Sequence, residues 1–277
     1  MRLVYFLSFL GVLTTQALQA QNDESVDKKK KLKGEFFFEW GYHRDSYSRS
    51  TIHFEDHQTG DYDFTLHNAK ASDKPDWDHF FHTPLTVPQY VLSGGYFFND
   101  KHDLGIELCW NHLKYVVNDY QTMHLTGEIN ETHYDRDTLV TPDFVHFEHT
   151  NGNNYLMLSL LKRVQIVHSR NENHVLSANF RLGGGGLVPK TDSYIMGKHN
   201  DGPFRLSGYV IGVGAALRYD VFRYLFLQFG VKGSWANYTD AKLYEQGRAK
   251  HSFYSAQYIL SAGFNIPTKG YKLRPAI

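Results

Sequence analysis

Three short stretches hold the residues best suited to chemistry. His53-Phe-Glu-Asp-His57, Asp78-His-Phe-Phe-His82 and His146-Phe-Glu-His149 space imidazoles and carboxylates closely, in a chain with sixteen histidines. Extended backbone puts His53, Glu55 and His57 on one face, where imidazole nitrogens and a carboxylate can share a divalent cation. His146 and His149 are the corresponding candidates in the third stretch. A metal ion is therefore the one cofactor these residues suggest. The plainer alternative is that a histidine-rich chain produces such spacings by chance and sets its imidazoles at a wet interface.

The third stretch continues as Thr150-Asn-Gly152 and invites a second chemistry. His149 as general base, Glu148 or another carboxylate orienting it, and Asn151 helping to hold an oxyanion would be the parts of a hydrolase. In an extended chain, however, His149 and Asn151 share a face while Thr150 points to the other. A histidine–hydroxyl pair is thus not built into the strand. The glycine run in RLGGGGLVPK lacks the Lys-Ser/Thr and helix of a phosphate loop, so no nucleotide cofactor is expected.

The elements that must carry these residues show period-two alternation. In FFFEWGYH, Phe36, Phe38, Trp40 and Tyr42 oppose Phe37, Glu39, Gly41 and His43. The split recurs in LGIELCWN, where Leu104, Ile106, Leu108 and Trp110 oppose Gly105, Glu107, Cys109 and Asn111. It returns in YVIGVGAALR, LFLQFGVK and SAQYILSAGF. One face is large and greasy, the other small or polar. Aromatic residues make up 16% of the chain, with 23 glycines, and no later stretch holds the roughly 18 apolar residues of a membrane helix. The pattern predicts an all-β, transmembrane, antiparallel up-and-down barrel. A soluble sandwich would turn its greasy face inward.

Residues 1–20 read as a secretory signal peptide, with Arg2, an apolar core from Leu3 to Leu13, and small residues at Ala17 and Ala20. Residues 21–33, including KKKKLK, read as a periplasmic basic linker, 34–267 as the barrel, and 268–277 as a periplasmic tail. The single Cys109 rules out an internal disulfide, and a formal net charge of +0 argues against a nucleic-acid partner.

Strands are expected near 35–43, 88–98, 103–117, 153–167, 174–186, 204–219, 224–237 and 252–266, eight in all. Short turns fall at 99–101, 169–173 and 220–223, and long outer loops at 44–87, 118–152, 187–203 and 238–250. If YDFTLHNA (62–69) also spans, the count becomes ten. Inside such a barrel Glu39, Glu107, Arg181, Arg218 and Lys232 must pair with one another, forming a structural plug; ten strands would leave a narrow channel.

On these strands, turns and the aromatic-ended YILSAGFNI, the chain resembles the small Gram-negative outer-membrane β-barrels, of the OmpA/OmpW-like or PagL-like eight-stranded kind. The resemblance implies an outer-membrane location and contact with outer-membrane lipid or lipopolysaccharide. Some members cleave acyl chains from lipid A or phospholipid with a His-x-Ser-Asn stretch at the outer rim. His149-Thr-Asn-Gly152 is similar in place, but its hydroxyl is in the wrong register. The leading expectation is a non-enzymatic surface-binding role, in which long loops contact a membrane or extracellular protein partner.

Overall fold

The computed structural model describes residues 34–58, 61–74, 88–98, 102–171 and 173–268. The expected leader 1–20, the linker 21–33, the Asp78–His82 cluster, the turn at 99–101 and the tail from 269 lie outside the described residues, as does the side chain of Asn151.

The described elements are all β. In chain order they are β1 (Gly34–Tyr47), β2 (Ser50–Asp56), β3 (Tyr62–Ala69), β4 (Ala71–Ser72), β5 (Tyr90–Phe98), β6 (Leu104–Val117), β7 (Gln121–Ile129), β8 (Thr132–Val140), β9 (Val145–His168), β10 (His174–Pro189), β11 (Asp192–Ile195), β12 (Lys198–Asp201), β13 (Gly208–Val221), β14 (Leu225–Lys242) and β15 (Arg248–Pro267). Eight of them pair antiparallel in the order β1-β5-β6-β9-β10-β13-β14-β15. β15 also pairs with β1, placing Phe264 opposite Phe38 and Leu260 opposite Tyr42. The ring closes on itself, which leaves no edge to satisfy in hydrocarbon. Gly185 sits where a Cβ would strike the Leu156 carbonyl oxygen, so the glycine run lets β10 approach β9 closely.

The ring's sidedness is the reverse of a soluble sheet. Leu108 is 67% exposed and Leu260 66%, whereas the inward Glu39 and Glu107 are each 1% exposed. Leaving so many large apolar groups in water forfeits the main driving force of folding, so their solvent is lipid. The outward run from Leu225 to Trp235 rises about 25 Å at the usual strand tilt, the height of a hydrocarbon layer. No helix is long and apolar enough to cross a membrane. The ring is a transmembrane barrel.

At one end the strands meet through short connections such as Phe222–Tyr224 between β13 and β14, and Phe37, Phe97, Leu161 and Phe226 pack across the lumen. At the other end the wall continues upward. β2 pairs with residues 248–251 of β15, then β3, β7 and β8 follow in order. β11 pairs with β12 and with residues 145–148 of β9. The segment 62–69 is thus part of this extension and not of the ring. The β7–β8 hairpin turns on Asn130 and Glu131, whose φ values of 49° and 60° are those of a type I′ turn.

Two expectations need correction. β9 begins at Val145 and not near Asn153, and the described parts of the expected loops 44–87, 118–152, 187–203 and 238–250 are largely strands. The reason is that alternation persists above the lipid-facing belt, with apolar residues now on the inner face. β6 runs from Cys109 and Asn111 inward to Leu113, Tyr115 and Val117, all 5% exposed or less. Ile52, Phe54, Phe64, Leu66, Leu125 and Phe147 join them in one buried cluster.

Candidate functional site

His149 lies at the floor of that cluster and is fully buried. Its Nε2 is 3.3 Å from Nε2 of His251, and its Nδ1 is 3.1 Å from Oγ1 of Thr191. Aromatic rings surround the pair: Tyr238 stacks on both imidazoles, at 4.9 and 4.6 Å, and Phe147 meets His149 edge-on. Burial pushes the His149 imidazolium down to about 3 and His251 well below its ordinary value. Both rings are neutral. Two tautomer sets satisfy the contacts: His149 Nδ1–H donates to Thr191 while its Nε2 accepts from His251 Nε2–H, or His149 Nδ1 accepts from the Thr191 hydroxyl while its Nε2–H donates to His251 Nε2. The first leaves His251 Nδ1 a bare acceptor, which costs less to bury unpaired than the N–H the second would leave there. Consistent with this, His251 Nδ1 is a buried atom with no partner among the described residues.

Glu148, on the opposite face, does not orient His149. It accepts from Thr150 Oγ1 and faces His146 Nε2 at 3.5 Å, while His146 Nδ1 meets Asp119 at 2.9 Å. The Glu148 hydrogen bond, with help from Asp119, raises His146 to about 9. His146 is therefore a cation at neutral pH, held between two carboxylates. The histidine that could act as a base is sealed in an aromatic core, and the carboxylate beside it in sequence serves another residue.

His53, Glu55 and His57 stand on the outer surface of the extension. His53 Nε2 is 3.2 Å from Glu55 and 3.5 Å from Asp63, and His57 Nε2 is 3.3 Å from Asp63. Lys250 holds Glu55 at 2.7 Å and, chiefly through that hydrogen bond, lowers its pKa. Among the described residues no group of three or more His, Cys, Asp or Glu is arranged to hold a metal ion.

The lumen carries its charges in tiers. Arg181 Nη2 lies 3.7 Å from Glu39 and 3.6 Å from Glu107, and Glu39 also accepts from Gln228 at 2.8 Å and Ser261 at 2.6 Å. Above them Lys232 donates to Asn111 at 2.6 Å. Arg218 sits apart, near the short-turn end, on Asp220 at 2.9 Å and over the Phe226 ring at 3.5 Å. Beside it Arg163 bridges Glu35 at 2.6 Å and Asp103 at 2.9 Å. Packed aromatics sit at both ends of the lumen, Phe37, Phe97 and Phe226 below, Tyr115, Tyr238 and Phe253 above.

Sequence reasoning did not single out Thr191, Tyr238 or His251. The signal was present for two of them. Counting back by twos from inward Gln257 gives Ser255, Phe253 and His251, and counting forward from Lys232 gives Ser234, Ala236 and Tyr238. Thr191 lies between strands, where no period applies.

No family model matches the sequence, and no curated protein matches it. Among solved structures the chain is similar to the outer membrane protein OprG from Pseudomonas aeruginosa, at 11% identity and TM-score 0.40, covering 86% of this chain and 98% of that one. It is similar to the outer membrane protein AlkL in lipid bilayers, at 12% identity and TM-score 0.38, covering 91% and 100%. A third is Ail, the attachment invasion locus protein of Yersinia pestis, in complex with a heparin analogue, at 11% identity and TM-score 0.33, covering 85% and 100%. At these scores the likenesses carry no argument, and the barrel rests on its strand registers and its outward apolar belt.

Proposed function

We propose that the chain is a non-enzymatic, non-conducting barrel of a Gram-negative outer membrane, with its termini in the periplasm and its β-extension outside the cell for recognition of a membrane or extracellular protein. The observation that carries the reading is the extension's own apolar core, from Ile52 and Phe54 to Phe147 and Phe253. Such a core holds a surface in one shape, which spares a partner the ordering cost of mobile loops. β8 ends the strand order and is exposed along most of both faces, so its backbone is open to an added strand. The signal-like N-terminus and the short turns at the opposite end support the orientation. The packed rings at both ends of the lumen support the absence of conduction.

Orientation is tested with single cysteines in whole cells, since Cys109 is buried. Arg136→Cys should react with a membrane-impermeant maleimide in intact cells, and Arg170→Cys only after permeabilisation; the converse overturns the reading. Planar bilayers containing the protein should show no stepwise conductance. Replacing 121–140 with a tight turn should leave heat-modifiable migration intact and abolish partner binding. A partner retained by that variant defeats recognition through β8.

A further inference from the structure

The free edge of β8 and the outer face beside it are complementary to one kind of partner. Because the β7–β8 hairpin turns on only two residues, Ile129 and Thr132 form its first bonded pair, and the even-numbered residues of β8 direct their N–H and C=O groups to β7. His133, Asp135, Asp137 and Leu139 therefore turn theirs to the other side, where no strand among the described residues pairs with them. The side chains of these residues are exposed as well. The edge is a row of donors and acceptors at ladder spacing, long enough for an extended segment of about seven residues.

The sheet registers set the outer side chains in rows. Glu55, Asp63, Glu128 and His133 face one another across β2, β3, β7 and β8; the next row is His53, Thr65, Thr126 and Asp135, and His67, His124 and Asp137 form the third. On the far side, in β15, Lys250 is engaged by Glu55, and Arg248 shares Asp240 with Arg205. Nearer the free edge the face and its turns carry Asp61, Asp63, Glu128, Glu131, Asp135 and Asp137. No lysine or arginine accompanies them: β3 and β7 contain none, and Arg136 of β8 lies on the opposite face, 5.0 Å from the Tyr134 ring centre. His124 stands 2.9 Å from Asp137 and 3.0 Å from Asp135, and the hydrogen bond to Asp137 above all raises its pKa, so it offsets part of this charge and leaves the face anionic. At the tip a groove of about 370 Å³ is lined by His57, Asp61, Asp63, Glu128, Glu131 and His133. Glu131 immediately precedes β8, so the groove lies beside the end of the free edge.

We propose that the β8 edge takes an extended, basic segment of an extracellular protein as an added strand, with lysine or arginine at alternate positions over Asp135 and Asp137 and a further cation in the His57–Glu131 groove. Strand addition supplies backbone hydrogen bonds whatever the sequence, and the acidic rows select positive charge on one face of the added strand. Residues directly opposite in a sheet share a face, so side chains across from Asp135 and Asp137 fall over the anionic surface. The intervening side chains meet Tyr134, Arg136 and Thr138, where a second row of cations is disfavoured. The proposal rests on the recognition role given to β8 above. Replacement of 121–140 tests that role on a whole partner, whereas the peptide experiment tests the chemistry of the edge in detergent, so the two can fail separately.

The test uses the full chain refolded in a neutral maltoside and a labelled, capped peptide of sequence TKVKVKT, with binding followed by fluorescence anisotropy. Three controls separate charge, pattern and backbone: glutamates in place of the lysines, the same residues with the lysines contiguous, and the original sequence with its lysine backbone nitrogens methylated. The parent peptide should bind at least about tenfold more tightly than each control, a gap of about 1.4 kcal/mol. Methylating the valine nitrogens instead should change little, because in the bound strand those nitrogens face away from β8. On binding, the amides of His133, Asp135, Asp137 and Leu139 should exchange more slowly, while the even-numbered amides of β8, already bonded to β7, should not respond. Asp135→Asn with Asp137→Asn should weaken the parent peptide about fivefold and flatten its salt dependence. Both aspartates are exposed, and unchanged exchange of the even-numbered amides checks the fold of that variant. Equal binding of any of the three controls, edge amides that exchange as fast with the peptide as without it, or indifference to the paired aspartate substitution each overturns the proposal.

Discussion

Along β14 the same strand obeys two opposite rules. From Leu225 to Trp235 its large apolar side chains, Phe226 apart, point outward, with Leu225, Leu227 and Phe229 all more than half exposed, while Gln228, Lys232 and Ser234 are buried inside. A few residues higher Ala236, Tyr238 and Ala241 are the buried ones, at 1% exposure or less. β6 changes in the same way between Asn111 and Leu113. The lower region is stabilised by lipid outside and by paired charges within; the upper region has water outside and a conventional apolar core. The boundary between them runs at the level of Asn111, Asn153 and Ser234, and His149 and His251 sit just above it. Each region should therefore respond to a perturbation that leaves the other untouched.

The largest contrasts come from removing what holds each region. Phe54, fully buried, stacks on Phe64 at 5.1 Å and meets Phe147 edge-on at 5.6 Å. Phe54→Ala should cost the extension about 3–5 kcal/mol, seen as faster proteolysis and amide exchange in β2, β3 and β7, with heat-modifiable migration unchanged. Arg181→Met should do the converse. It leaves Glu39 and Glu107 facing each other without their shared cation, at about 3–5 kcal/mol, lowering the temperature of barrel unfolding. Adding Glu107→Gln should recover most of that loss, because Glu39 retains Gln228 and Ser261. Concerted loss of both regions in either single variant would show one cooperative unit instead of two.

That two-rule division also explains what was legible in the sequence. The ring strands could be read because outward Leu, Phe and Trp alternate with Gly, Ser, Glu and Gln, a contrast large enough to fix the phase. Above the rim the contrast fades: His112-Leu-Lys-Tyr-Val-Val117 alternates only weakly, and inside and outside no longer differ in kind. For that reason the sequence of those strands reads as loops. Glu39, Glu107 and Arg181 were accessible from phase alone, whereas the His149–His251 and His149–Thr191 contacts depend on how distant strands meet, and no local pattern encodes that. The pairing of Arg205 and Arg248 on Asp240 is hidden for the same reason, since the three sit in the connection before β13, in β15 and in β14.

A smaller effect follows from the histidines, and its sign separates two sites. His149 has a folded-state value near 3 against about 6.5 when unfolded, so its neutral form contributes stability that is complete above about pH 6.5 and lost as pH falls toward 3. At pH 4.5 the loss is on the order of 2–3 kcal/mol, and His251 adds to it in the same direction. His146, raised to about 9, contributes in the opposite sense: its stabilisation is complete below about pH 6.5 and is lost as pH rises through 9. Amide protection in the extension, corrected for the intrinsic pH dependence of exchange, should therefore fall toward both acid and alkaline pH. His251→Phe should shrink the acid arm and leave the alkaline arm unchanged, and His149→Phe made together with it should abolish the acid arm; an acid arm that persists in the double variant would place its origin elsewhere.

The smallest expected effect is at Lys250, the residue next to His251 and on the opposite face of β15. Its ammonium holds Glu55 at 2.7 Å and so ties β15 to β2, the joint between barrel and extension, but its side chain is 46% exposed and that of Glu55 23%. Water screens a pair this open, and ordering two long side chains offsets much of the attraction, so Lys250→Ala should cost no more than about 1 kcal/mol and less in high salt. The joint is instead held by backbone pairing of His251 with Ile52 and Ala249 with Phe54, and by the burial of Ile52, Phe54 and Ala249 beneath it. Ala249 is wholly buried, so Ala249→Asp, which forces a carboxylate into that layer, should detach the extension where Lys250→Ala does not. If proteolysis of the extension responds as strongly to Lys250→Ala as to Ala249→Asp, the joint is electrostatic, and the comparison between a lipid-stabilised barrel and a water-stabilised core must be redrawn at β15.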